Sequence, residues 1–139
     1  MQAVATLSST CATCRATGAI TVTQRVHEGH LTWVEQFSCG CGHAFEAKGK
    51  GLPASGVRNA LLAQSGRGEV WLDDAAHRAT VQKLLQAVLG VPADEATRRL
   101  AALPALAFEG THAEADFVAQ ALGRLKAVVR VLHHLPERR

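Results

Sequence analysis

The spacing of apolar positions changes near residue 50. From Ala19 to Val26 the chain reads AITVTQRV, where β-branched residues alternate with others as in a half-buried strand. Leu31 to Ser38 repeats the alternation and sets Leu31, Trp33, Glu35 and Phe37 on one side. His27-Glu28-Gly29-His30 between them is a turn, and Ala44 to Ala47 adds a short third strand. Downstream of Lys48-Gly49-Lys50-Gly51-Leu52-Pro53, a joint with two glycines and a proline, the period becomes helical.

That second part predicts a helix over residues 54–64, with Val57, Ala60, Leu61 and Gln64 at helical spacing and Gly66 ending it. Glu69 to Leu72 reads as a strand. A helix over residues 77–89 carries Val81, Leu84, Leu85 and Val88 on one face, with Gly90 placed to cap its end. A third helix over 93–102 must stop before Pro104, because the residue before proline is pushed out of helical conformation. Leu106 to Glu109 is a short strand. Thr111-His112-Ala113-Glu114 is a capping box that starts a fourth helix, and Ala127 to Leu132 closes the chain as a strand. The expected class is α+β: a small ribbon over 1–50, a connecting helix within 51–68, and a βααβαβ unit over 69–139.

Composition narrows the function classes. The 139 residues are 47% hydrophobic and carry a formal charge of +3, so a packed core is expected and wholesale disorder is not. Residues 1–50 hold four Lys/Arg against three Asp/Glu, and residues 51–139 hold eleven against nine. Neither part is a basic tail, which gives nucleic acid only weak support as a partner. No targeting segment and no membrane span are legible, and the expected compartment is the cytoplasm.

Four cysteines lie within residues 11–41. Cys11-Ala12-Thr13-Cys14 is one close pair and Cys39-Gly40-Cys41 the other, separated by a hairpin-sized insert. In a reducing compartment this pattern points to metal rather than disulfides. Four thiolates suit a structural, tetrahedral Zn2+ and leave no open position for a catalytic water. His43, two residues beyond Cys41, is the alternative fourth ligand. A redox pair at Cys11 and Cys14 is the competing reading, weakened because no strand-then-helix context surrounds it.

Residues 1–47 resemble a zinc ribbon in the general sense. From residue 69 to 132 the chain resembles the C-terminal domain of the bacterial ribosomal stalk protein. The features in register are Val81 and Lys83, Leu89-Gly90-Val91 at the helical turn, Glu95-Ala96, Pro104, Glu109-Gly110 and Glu114-Ala115. The Clp protease adaptor is similar in fold, and Asp73-Asp74 followed by Val81 is faintly like it. Stalk-like folds dock proteins through helix faces. Here Lys83 matches the family's factor-recruiting lysines, whereas Asp94 and Thr97 follow the turn and Pro92 replaces its second glycine. The stalk's dimerising N-terminal domain is replaced by the ribbon. The adaptor's degron-binding Asn and His have no counterpart. The resemblance therefore implies the fold more firmly than the task.

The expected function is a non-enzymatic, zinc-stabilised protein-binding module, either an adaptor or an immunity-type inhibitor of a bacterial toxin. A translation-associated or RNA-binding role at the ribosome is the alternative. Arg78, Lys83, Arg98 and Arg99 are the candidate partner-binding residues, on the basic side of the helical hairpin. No nucleophile elbow, phosphate loop or acid–base pair is legible, so no catalytic residue is assigned. Asp73 and Asp74 are expected to cap the helix near His77. His133 and His134 are expected to end the last strand in solvent. Of Trp33, Phe37 and Phe45, at least two are expected in the ribbon's core.

Overall fold

The structure, a computed structural model, describes residues 2–136. The last three residues of the expected 69–139 unit lie outside that range. The class is α+β, with seven strands in two antiparallel sheets and four helices among the described residues.

The first sheet runs β1 (Ala3–Thr10), β2 (Thr17–His27), β3 (His30–Ser38) and β4 (Ala44–Lys50), paired in that order. β2 and β3 meet at a two-residue turn in which Glu28 and Gly29 both have positive φ, 51° and 77°. That mirror-image turn suits the natural twist of a hairpin. β1 was not expected. Its sequence, AVATLSST, buries only small residues, Ala3 and Ala5, and so carries little alternation in hydrophobicity. β4 runs three residues beyond the expected Ala47.

The inner face of this sheet is closed by the connecting helix α1 (Ser55–Ser65), starting one residue later than expected. Ala3, Ala5, Val22 and Leu31 pack with Leu61 of α1 and Ala113 further along the chain. α1 also shields the edge of β1. The Gln64 side chain accepts from the Thr6 amide at 2.8 Å and donates to the Thr6 carbonyl at 2.8 Å, as a neighbouring strand would.

The second sheet has the order β6-β5-β7, from β5 (Arg67–Ala75), β6 (Ala105–Gly110) and β7 (Ala127–His134). Helices α2 (Arg78–Leu89), α3 (Ala93–Ala101) and α4 (His112–Arg124) follow the expected β-α-α-β-α-β order. Its core joins Val70 and Leu72 of β5 to Val81 and Leu85 of α2, Leu100 of α3, and Val118 and Leu122 of α4. Gly90 ends α2 in left-handed conformation at φ 64°. The capping box at α4 is complete: the Thr111 hydroxyl accepts from the Glu114 amide at 3.1 Å, and Glu114 accepts from the Thr111 amide at 3.2 Å.

The expected capping role of Asp73 and Asp74 is wrong. β5 is longer than its apolar run suggests and takes both residues into the strand. Asp73 accepts from Arg130 at 2.7 Å, and no side chain caps α2.

Candidate metal centre

The order of the first sheet decides where the cysteines go. In an antiparallel sheet running β1-β2-β3-β4, the β1–β2 and β3–β4 connections emerge at the same end. The first carries Cys11 and Cys14, and the second carries Cys39 and Cys41. Each connection is a tight knuckle. The Cys11 amide donates to the Ala16 carbonyl and the Arg15 amide to the Cys11 carbonyl, both at 2.9 Å, with Arg15 at φ 61°. Opposite, the Cys39 amide donates to the His43 carbonyl and the Gly42 amide to the Cys39 carbonyl, both at 3.0 Å, with Gly42 at φ 94°. The left-handed residue in each knuckle reverses the chain so that both cysteines of the pair turn inward.

All four sulfurs lie within 4.8 Å of one another. Cys11 Sγ is 3.7 Å from Cys41 Sγ, and Cys14 Sγ is 3.5 Å from Cys39 Sγ. Both separations are far beyond a disulfide's roughly 2.05 Å. They are close to the edge of a tetrahedron with metal–sulfur bonds of about 2.3 Å, which is about 3.8 Å. The four residues fit a metal ion. Cys11 is buried, while Cys14 and Cys41 are exposed, so the cluster sits at the tip of the sheet with one side open to water.

The thiols differ in acidity. A backbone hydrogen bond at Cys14 is the main influence drawing the Cys11 thiol down to about 6, against the opposing effect of burial. At Cys14 the Ala16 backbone also pulls downward, but the sulfurs of Cys39, Cys41 and Cys11, together with burial, outweigh it and push the thiol up to about 12. The pattern is that of crowded like charges: once one thiolate forms, its neighbours resist following. A cation at the centre removes that conflict and permits full deprotonation.

No protein-family model, curated protein or solved structure matches this chain.

His43, the alternative ligand, has its ring against Phe37 and Phe45, with centroids 5.9 and 6.3 Å away. Phe37 is buried, and Phe45 stacks on it from a half-exposed position. Trp33 is half-buried over Gly49, where any side chain would run into the indole ring. The basic hairpin residues are drawn into contacts within the chain. Arg78 donates to the Leu100 carbonyl at 3.1 Å, and Arg99 donates to the Ala107 carbonyl at 2.9 Å and to Glu95 at 3.1 Å. Arg98 also pairs with Glu95, whereas Lys83 is exposed.

Two polar groupings were not legible in the sequence. Glu114 is 1% exposed, yet it receives Arg58 of α1 at 2.8 and 3.0 Å and Gln24 of β2 at 2.8 Å. Gln24 in turn accepts from Thr111. This network ties the first sheet, the connecting helix and α4 together, and it satisfies a buried carboxylate on all sides. Glu114 was recognisable as a capping residue, but nothing local announces a partner 90 positions away. The second grouping is His112, whose Nδ1 lies 2.6 Å from His133 Nδ1. His134 reaches Glu69 at 2.7 Å. The two C-terminal histidines are thus only partly in solvent, because β7 runs two residues past its expected end.

Proposed function

We propose that Cys11, Cys14, Cys39 and Cys41 hold a structural zinc ion, and that the protein is a non-enzymatic binding module that this ion stabilises. The observation that carries the reading is the set of four sulfurs within 4.8 Å of one another. Four thiolates fill zinc's preferred coordination, and a filled site offers no position for an activated water. Zinc is favoured among metals by its indifference to geometry and its affinity for sulfur. On this reading the protein's task is to present a surface, as an adaptor or an immunity-type inhibitor of a bacterial toxin. The resemblance to the stalk domain and to the Clp adaptor supports it, both being folds that dock proteins. The docking surface would then include Lys83 and Arg98 on the helical hairpin, with Arg78 and Arg99 shaping it.

Elemental analysis of the purified protein tests the first half, with one equivalent of zinc expected per chain. Absence of stoichiometric metal, or thiols recovered as intracellular disulfides, sinks it. Co-purification from the native host tests the second half. A specific protein partner whose binding is weakened by Lys83→Glu with Arg98→Glu is expected, and no partner at micromolar affinity counts against it.

A second reading, a translation-associated or RNA-binding factor, draws on the open face of the first sheet. There the strand register places Arg25 and Lys50 on either side of Thr32, with Lys48 alongside. It calls for ribosome co-sedimentation and for RNA binding that weakens steeply with salt.

A further inference from the structure

β4 is an edge strand, and the hydrogen bonds at its two ends fix which of its backbone groups are spent. At one end the Cys39 amide donates to the His43 carbonyl at 3.0 Å, and at the other the Gly51 amide donates to the Leu31 carbonyl at 2.8 Å. Antiparallel pairing alternates, so Phe45, Ala47 and Gly49 between them also turn their backbone groups toward β3. The amides and carbonyls of Ala44, Glu46, Lys48 and Lys50 therefore point away from the sheet. Among the described residues no strand and no side chain takes them. The opposite edge differs, because Gln64 takes both backbone groups of Thr6. An edge left open is a template for a further strand.

The side chains of β4 select that strand. Glu46 and Lys48 stand on the outer face of the sheet, 3.2 Å apart and both exposed. Phe45 and Gly49 stand on the inner face, where Phe45 is 45% exposed and the Trp33 ring fills the space over Gly49. A second copy of β4 laid antiparallel on this edge can hydrogen-bond only where even-numbered residues face even-numbered ones. A register that sets Glu46 opposite Glu46, or Lys48 opposite Lys48, brings like charges together and shortens the overlap. The register centred on Ala47 does neither and uses the whole strand. It sets Glu46 opposite Lys48 twice over, Ala44 opposite Lys50, and Phe45 opposite Gly49, beside the Trp33 ring. Lysines on an edge ordinarily turn away an incoming strand. Here the second copy brings the carboxylate that answers Lys48.

We propose that two copies of this chain associate through β4, antiparallel about Ala47, so that two four-stranded sheets become one. The contact is isologous, and each favourable pair occurs twice. It is one strand wide, which places it among the small, transient interfaces below about 1,200 Å². Association should therefore be weak and governed by concentration. The inference uses the register of β3 and β4 and does not rest on the zinc or the partner proposed above.

Sedimentation velocity of the full chain under reducing conditions, from about 1 µM to about 1 mM, tests it. A monomer–dimer equilibrium is expected. Glu46→Lys and Lys48→Glu, both at exposed positions, should each weaken self-association at least about tenfold. Mixed in equal amounts, the two variants should dimerise about as well as the wild type, because cations on one chain then face carboxylates on the other at both places. Amide exchange in the wild type should slow with rising concentration at Ala44, Glu46, Lys48 and Lys50, and not at Phe45, Ala47 and Gly49, which β3 already protects. The proposal is overturned by a chain that stays monomeric throughout, by a dimer indifferent to both substitutions, or by a mixture that associates no better than its components. It is equally overturned if the slowed exchange maps to another surface, or if β4 gains protection only from a peptide of a different protein.

Discussion

The two sheets are built on different terms. The β5–β7 sheet and its helices enclose eleven buried apolar residues, among them Leu72, Leu85 and Leu122, all drawn from the chain after residue 67. The four-stranded sheet has more backbone pairing but a poorer interior. Its cluster is Ala3, Ala5, Val22 and Leu31 from the strands, with Leu61 lent by α1 and Ala113 by α4. A sheet that buries alanine where its neighbour buries leucine gains much less from water exclusion. It is tied instead by the Glu114 network in the middle and by Gln64 along the edge, and its four sulfurs meet at the tip. The comparison teaches that one chain can fold a rich core and a poor one together when the poor one is pinned from outside.

The largest effect should come from the tip. If the four sulfurs hold zinc as proposed, a chelator, or Cys11→Ser, should abolish hydrogen-exchange protection across β1–β4 while leaving most of it in β5–β7. Structural zinc binding is worth on the order of 10 kcal/mol, comparable with the roughly 5–15 kcal/mol that holds an ordinary domain together. Equal protection of both sheets before and after chelation would mean that the two sheets do not differ in how they are held. Next comes the buried carboxylate. Glu114→Ala strands Arg58 and Gln24 without their acceptor and should cost about 3–5 kcal/mol in urea melts. The pairing is sharpened by the double variant Arg58→Met with Glu114→Leu, which should recover much of that loss because it removes both charges together. If the double variant is as unstable as the single, the network matters for its shape rather than its charge.

How much of this was readable from the chain follows the same division. In the second part the apolar residues are large and regularly spaced, so Val81, Leu84, Leu85 and Val88 announce α2, and Gly90 and Thr111 mark where helices stop and start. The element order there came out as expected. In the first part the pairing of two cysteine knuckles is local in sequence and legible as such. β1 is not, because its inward residues are alanines whose burial depends on α1, some sixty positions away. Asp73 and Asp74 misled for a related reason: two adjacent carboxylates before a helix look like caps, but Arg130 on the neighbouring strand holds Asp73 in β5. Long-range partners leave no periodicity for a sequence to display.

Gln64 offers a smaller and more local test. Its side chain makes two hydrogen bonds to Thr6, so Gln64→Ala should cost about 1–3 kcal/mol at roughly 0.5–1.5 kcal/mol each. The uncovered β1 edge should also raise the tendency to associate, measurable by light scattering at high concentration. Gln64→Glu should be intermediate, since it keeps the acceptor for the Thr6 amide and loses the donor to its carbonyl. If both variants melt with the wild type, the edge is held by the apolar face of α1 alone.

The least effect is expected from acid, at the contact between α4 and β7. His112 opens α4 and is 6% exposed, so burial is the first cause holding its imidazole below the ordinary 6.5, followed by the charge of His133. Asp116 and the Ser65 backbone push the other way, while His134 adds to the lowering. Between two nitrogens 2.6 Å apart there is room for one proton, and a second would place two like charges in contact. Because the folded value lies below the unfolded one, the unfolded chain takes up the proton first as the pH drops. The contribution of His112 is therefore intact above about 6.5 and is lost as the pH falls below that point and through the lowered value. Melting temperature should decline on going from pH 7.5 to 5. His133→Asn removes the second ring and part of the lowering, so its decline should be shallower. Exchange in β2 and β3 should respond less than exchange at the start of α4. A uniform acid response across both sheets would mean that the two units share one stability after all.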